Sequence, residues 1–133
     1  MIKYNVLLQD LKVAGVMSSP VVTVSPVTPL SEVIRMMYEN KHLGYPVIDR
    51  GAMVGIITLA DIRSAPSIDR DAMQVRDVMT KEVITLSPDA PLTDALRLIS
   101  LNEIGRIPVI EDGALVGIVT RTDILRVMEL KEV

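Results

Sequence analysis

Two short polar hooks carry most of the chemistry this sequence offers: Thr58-Leu59-Ala60-Asp61 and, 62 residues further on, Thr120-Arg121-Thr122-Asp123. Each follows a small apolar run, Gly55-Ile56-Ile57 or Gly117-Ile118-Val119, and stands where a strand pattern gives way to a helix that begins at the aspartate. Such a junction exposes backbone N–H groups. The carboxylate has two uses there: it caps those amides, or it accepts from the paired hydroxyls of a ribose. The threonine likewise either finishes the strand ladder or adds a hydroxyl to the hook.

Little else in the chain is reactive. There is no cysteine, which excludes disulfides, thiolate metal sites and thiol nucleophiles and fits a reducing compartment. The single histidine, His42, stands in a mixed polar segment as a surface or lining residue, and no phosphate-cradling glycine loop or metal-ligand cluster occurs. A formal charge of −3 and a pI near 5.1 argue against a direct, sequence-independent grip on nucleic acid. Phe and Trp are absent and Tyr is only three, so base stacking has almost no platform. The opening Met1-Ile2-Lys3-Tyr4-Asn5 has no signal-peptide pattern, and no apolar run nears the roughly 20 residues that span a bilayer. A soluble, cytoplasmic protein without membrane partners is the expectation.

The hooks must be positioned by a core of aliphatic residues, because hydrophobic residues make up 49% of the 133 while large aromatics are missing. Val6, Leu7, Leu8 and Leu11 suit a short N-terminal helix with one buried face. Val21–Val24 and Val83–Leu86 read as short strands closed by Ser25-Pro26 and Ser87-Pro88. Pro29 and Pro91 fall in the first turn of two amphipathic helices whose apolar faces are Leu30, Val33, Ile34, Met37 and Leu92, Ala95, Leu96, Ile99. The Met36-Met37 pair is packing by its helical spacing. The helices yield near Asn40 and Asn102, and Tyr45–Asp49 and Ile107–Glu111 return to strand, with Pro46 and Pro108 suiting an edge. Asp112-Gly113 is a strong two-residue hairpin turn and Arg50-Gly51 a weaker one, so Met53–Ile57 and Leu115–Val119 pair back antiparallel. Ser64-Ala65-Pro66-Ser67 reads as a connector.

Each half thus runs strand, helix, strand, strand, helix. Between Val16–Ile62 and Val78–Ile124, 21 of 47 aligned positions are identical without a gap, which marks an internal duplication. The organisation is a lead-in at 1–12, a first repeat at 13–65, a connector at 66–74 and a second repeat at 75–133.

The Val-Met lead-ins, Thr-Val-Ser-Pro and Thr-Leu-Ser-Pro, the Pro-Val-Ile strands and the Gly-Ile-Ile-Thr-x-x-Asp and Gly-Ile-Val-Thr-x-x-Asp hooks, in that order twice, resemble the cystathionine-β-synthase (CBS) domain, here as a pair. The resemblance spans about Val13 to Val127 and implies an α+β fold of two tandem repeats packed sheet to sheet with pseudo-twofold symmetry and two clefts. It implies a regulatory role without catalytic residues: an adenosine-containing ligand such as AMP, ADP, ATP or S-adenosylmethionine is sensed, and an unknown effector protein reads the change. A homodimer is the implied assembly, and no metal or resident cofactor is implied. In the dehydrogenase of inosine monophosphate such repeats are an accessory insert, and its catalytic barrel has no counterpart in this sequence.

Carried onto this sequence, the resemblance places Ile56, Thr58 and Asp61 in one cleft and Ile118, Thr120, Thr122 and Asp123 in the other. It draws further walls from Val21, Val83, His42, Leu43 and Arg106. Arg106 stands two residues before Pro108, where family members often place a phosphate-binding arginine; Gly44 takes that place in the first repeat. Arg121 adds a second cation on the Asp123 side, so the stronger phosphate site is expected there. The alternative reading is a ligand-free dimerisation or protein-interaction scaffold, with the aspartates as helix caps and Arg106 as a solvated charge.

Overall fold

The computed structural model describes residues 8–66 and 70–132. The expected helical positions Val6 and Leu7, and Ser67 of the connector, lie outside them. The chain divides into two compact units that cut across the repeats: Val22–Val83 forms one, and the chain up to Val21 joins the chain from Ile84 onward to form the other. Each unit combines the helix and hairpin of one repeat with the lead-in of its sister.

In the Val22–Val83 unit, helix α1 covers Leu30–Asn40, strands β1 and β2 cover Gly44–Asp49 and Ala52–Thr58, and short helices α2 and α3 cover Leu59–Arg63 and Val75–Val78. Pro29 lies one residue earlier in the helix than its sequence suggests: at φ −63° and ψ 145° it is the N-cap. It offers no capping side chain, and the Leu30 amide donates to the Met73 carbonyl at 3.0 Å instead. The helix ends at Lys41, which turns left-handed at φ 60° and returns its amide to Met37. Leu30, Val33 and Met37 form its buried stripe, and they meet Tyr45, Val47, Ile57 and Ile62 in one apolar cluster with Val75. Met37 is core, as its spacing predicts.

The hairpin between β1 and β2 turns on Arg50 at φ 52° and Gly51 at φ 84°. Two left-handed residues in succession are the turn whose twist matches paired strands, so the weaker of the two sequence signals forms the same turn as the stronger. The register shifts between Val47 and Ile48, leaving Val54 as an extra residue on β2. Pro46 sits inside β1, with its carbonyl accepting from Val24 at 3.1 Å on the side away from β2. That side carries no continuous ladder, so the missing proline N–H costs nothing there.

The second unit repeats this plan. A 3-10 turn at Val13–Gly15 precedes α4 at Leu92–Asn102, β3 at Arg106–Glu111, β4 at Ala114–Thr120 and α5 at Arg121–Lys131. Asp112 and Gly113 take φ 51° and 81° in the hairpin turn. Leu8 and Val13 from the start of the chain are fully buried with Leu92, Ile99, Ile107, Val119 and Ile124. The Leu92 amide donates to Leu11 at 2.8 Å, and the Val13 amide to Ala90 at 2.9 Å, so the lead-in is hydrogen-bonded to the start of α4.

The strands expected at Val21–Val24 and Val83–Leu86 do not form as such. Each segment makes one parallel bridge, Val24 to Val47 and Leu86 to Val109. Their sequences favour extension, but the turns at Ser25–Thr28 and Ser87–Ala90 lead the chain away before a ladder can lengthen. Among the described residues no charged or polar residue is buried as a whole, and no helix is long and apolar enough to cross a membrane.

Candidate functional site

Both hooks form, and they form the same way. Each threonine is the N-cap, and the aspartate is the third helical residue, not the first. In α2 the Asp61 amide donates to Thr58 Oγ1 at 3.3 Å, and the Thr58 amide donates to Asp61 Oδ2 at 2.9 Å. In α5 the equivalent bonds run from Asp123 to Thr120 Oγ1 at 3.1 Å and from Thr120 to Asp123 Oδ2 at 2.9 Å. These are reciprocal capping boxes, so the helix starts two residues before the aspartate, at Leu59 and Arg121.

The junction amides are also less open than the sequence suggests. The Leu59 amide donates to the Leu43 carbonyl at 2.9 Å, and the Arg121 amide donates to the Gly105 carbonyl at 3.0 Å. The segments before β1 and β3 therefore anchor the hooks through their backbones. The residues expected as phosphate partners divide accordingly. Arg121 is exposed and places a guanidinium nitrogen 3.1 Å from the Ile104 carbonyl, next to that anchor. Arg106 is half-buried and lies directly opposite Thr120 in the β3–β4 ladder, as Gly44 lies opposite Thr58.

The lead-in of each unit runs alongside the strand that delivers its hook. Thr80 pairs with Ile56 by two backbone hydrogen bonds of 2.9 Å, and Ser18 pairs with Ile118 by bonds of 2.8 and 3.1 Å. Glycines make room for this. A Cβ on Gly55 would lie 2.7 Å from the Thr80 carbonyl oxygen, and one on Gly117 would lie 2.8 Å from Met17 Cγ. Ile56 is buried beneath its lead-in and Ile118 half-buried beneath its own. Val83 and Val21 are half-buried at the ends of these segments.

The Val22–Val83 unit thus brings Ile56, Thr58, Asp61 and the Leu43 carbonyl together. His42 is exposed, with its ring edge-on to Tyr45 at 6.4 Å, and the Leu43 side chain is exposed too. The other unit brings Ile118, Thr120, Asp123 and Arg106 together, with Thr122 exposed on the first turn of α5. No group of three or more potential metal ligands occurs among the described residues.

The sequence reading missed Thr80. Its hydroxyl donates to Asp61 Oδ1 at 2.9 Å, across 19 residues. Asp123 has a different neighbour: Arg126 Nη1 lies 3.7 Å from its Oδ1, an ion pair rather than a hydrogen bond. The signal was a hydroxyl at the matching lead-in positions, Ser18 and Thr80.

Comparison with known proteins agrees with the repeat. The CBS domain family model matches twice, at residues 13–68 and 75–130. An uncharacterized protein of Methanocaldococcus jannaschii is 37% identical over 123 residues, 92% of this chain, and this chain spans 41% of its length. Among solved structures, the CBS domain pair of protein MJ0100, in complex with 5′-methylthioadenosine and S-adenosyl-L-methionine, superposes with a TM-score of 0.81 at 29% identity, covering 91% of this chain and 98% of that one. CBSX2 in complex with AMP gives 0.80 at 25% identity, covering 90% and 97%. The order of elements, the duplicated capping-box hooks and these matches lead to one conclusion: the chain belongs to the CBS domain family and carries two such domains in tandem.

Proposed function

We propose that this chain is a regulatory, non-catalytic module that binds an adenosine-containing ligand, with the Thr-x-x-Asp hooks holding the ribose. The observation that carries the reading is the duplicated hook, fixed in each unit at a strand-to-helix junction and flanked by the lead-in of the sister repeat. A carboxylate there accepts from a vicinal diol, while aliphatic neighbours such as Ile118 offer a purine an apolar face without aromatic help. The related pairs solved with 5′-methylthioadenosine, S-adenosyl-L-methionine and AMP support adenosine as the shared element. AMP, ADP, ATP and S-adenosylmethionine are the candidates. Relay to an effector protein on another chain, a homodimeric assembly and a cytoplasmic setting belong to the same proposal.

A second reading is favoured by the capping boxes themselves, because they already employ both aspartates in helix starts. On that reading the hooks are structural and the chain is an interaction scaffold. Mass spectrometry of small molecules released from the denatured, purified protein, followed by calorimetric titration with AMP and ATP, separates the two. Stoichiometric release or saturable binding of an adenosine compound supports the sensor; neither release nor binding rejects it.

A further inference from the structure

We propose that the Thr80 hydroxyl closes the Asp61 hook, so that Thr80 sets which of the two hooks readily takes a sugar diol. The inference rests on the ribose-holding reading above.

An ionised carboxylate offers about four acceptor sites on its two oxygens. Among the described residues three are filled at Asp61: Oδ2 accepts from the Thr58 amide at 2.9 Å and the Thr58 hydroxyl at 3.0 Å, and Oδ1 accepts from the Thr80 hydroxyl at 2.9 Å. At Asp123 one is filled, by the Thr120 amide at 2.9 Å on Oδ2; Arg126 stands 3.7 Å from Oδ1, with its own side chain 64% exposed and that of Asp123 13%. A vicinal diol brings two O–H donors and needs two acceptor sites. Asp123 has that many left unfilled by hydrogen bonds among the described residues. Asp61 supplies them only after Thr80 lets go.

Thr80 is held where it can do this. Its backbone is fixed to Ile56 by two 2.9 Å bonds, so the hydroxyl leaves only by rotating about χ1, and its branched Cβ makes that rotation stiff. Leaving forfeits a hydrogen bond to a charged acceptor, which is stronger than one between neutral groups. Ser18, at the matching place beside Ile118, is bound to the strand through the same two backbone groups and lacks the extra methyl. The Thr80 bond is exposed, which keeps the effect modest: about three- to tenfold in affinity at the Asp61 hook.

The test uses the full chain with Asp123→Ala, which leaves the Asp61 hook as the working one, titrated with AMP and with ATP by calorimetry. Adding Thr80→Val, which keeps the branched shape and the backbone bridge but removes the donor, should raise affinity by about three- to tenfold. Thr80→Ala should do the same and guards against a packing effect of valine. Unchanged or weaker binding in both variants overturns the inference while leaving the ribose reading intact. A wild-type chain that takes up neither AMP nor ATP overturns the ribose reading, and this inference with it. A ligand-free check stands apart from both: melting temperatures of Thr80→Val, Asp61→Ala and the double variant should be non-additive if the two side chains are bonded, and additive shifts overturn the closure.

Discussion

Replacing Gly55 with alanine should be more damaging than replacing Gly117, although the nearest atom lies closer at Gly117. At Gly55 the new methyl would meet the Thr80 carbonyl oxygen at 2.7 Å and Met79 Sδ at 3.0 Å; at Gly117 its three nearest atoms would all be in the Met17 side chain, with Cγ at 2.8 Å, Cβ at 3.2 Å and Sδ closer still. The Met17 thioether and Cγ swing aside by rotation at little cost, and Cβ at 3.2 Å has to give only a few tenths of an ångström. A carbonyl accepting a 2.9 Å bond from Ile56 cannot move outward from 2.7 Å to ordinary contact near 3.4 Å, a shift of about 0.7 Å, without breaking that bond and its partner. Two backbone bonds at about 1 kcal/mol each, with the overpacking partly relieved by their loss, put the cost of Gly55→Ala at about 2–3 kcal/mol. The lower chain entropy of alanine returns about 0.4–1 kcal/mol at either site, so Gly117→Ala should fall near zero to 1 kcal/mol. Urea denaturation followed by circular dichroism reads the difference, and amide exchange at Ile56 and Thr80 localises it. Equal destabilisation by the two variants, or a larger loss from Gly117→Ala, would refute the distinction between backbone and side-chain obstruction.

Three further outcomes are expected. Asp123→Ala should weaken AMP binding at least about tenfold while costing about 1 kcal/mol of stability for the lost cap, so calorimetry beside a melting curve separates ligand from cap, and unchanged affinity would reject the ribose role. Gly113→Ala and Gly51→Ala, at φ 81° and 84°, should each cost about 1–2 kcal/mol because both turns need a left-handed residue there; a stable variant at either would show that the turn relaxes to another type. Leu92→Ala, which removes a fully buried side chain, should lower stability by about 2–5 kcal/mol, whereas Leu101→Ala, at a position 75% exposed, should stay within about 0.5 kcal/mol in the same denaturation assay.

Where local rules dominate, the sequence was legible. The apolar spacing at Leu30, Val33 and Met37 placed α1, and the Asp112-Gly113 pair placed the β3–β4 turn, because each needs only neighbours within a few residues. The lead-ins were overread. Val21-Val22-Thr23-Val24 has the composition of a strand, but a strand is defined by its partner, and the turn after Val24 leaves one bridge. The four-residue α3 was invisible for the opposite reason: Val75–Val78 is too short to show a period. The hooks were half legible. Threonine and aspartate at that spacing spell a capping box, yet their identity as N-cap and third residue depends on where the helix starts, and boundaries are what sequence fixes least. Thr80 on Asp61 left only a faint mark, the hydroxyl it shares with Ser18 at the matching place, since nothing local joins residues 19 apart.

The nesting of one continuous unit inside a divided one bears on the order in which the molecule can be made. Everything in the Val22–Val83 unit has been synthesised once residue 83 is, so its core can close while the second repeat is still being added. Leu8 and Val13 have to wait. Their partners Leu92, Ile107 and Ile124 arrive later, and the Ser18 to Ile118 bridge joins residues 100 positions apart. Leu8 and Val13 are thus buried later than the Val22–Val83 core can be, and during that interval they stay open to a chaperone or to the wrong neighbour.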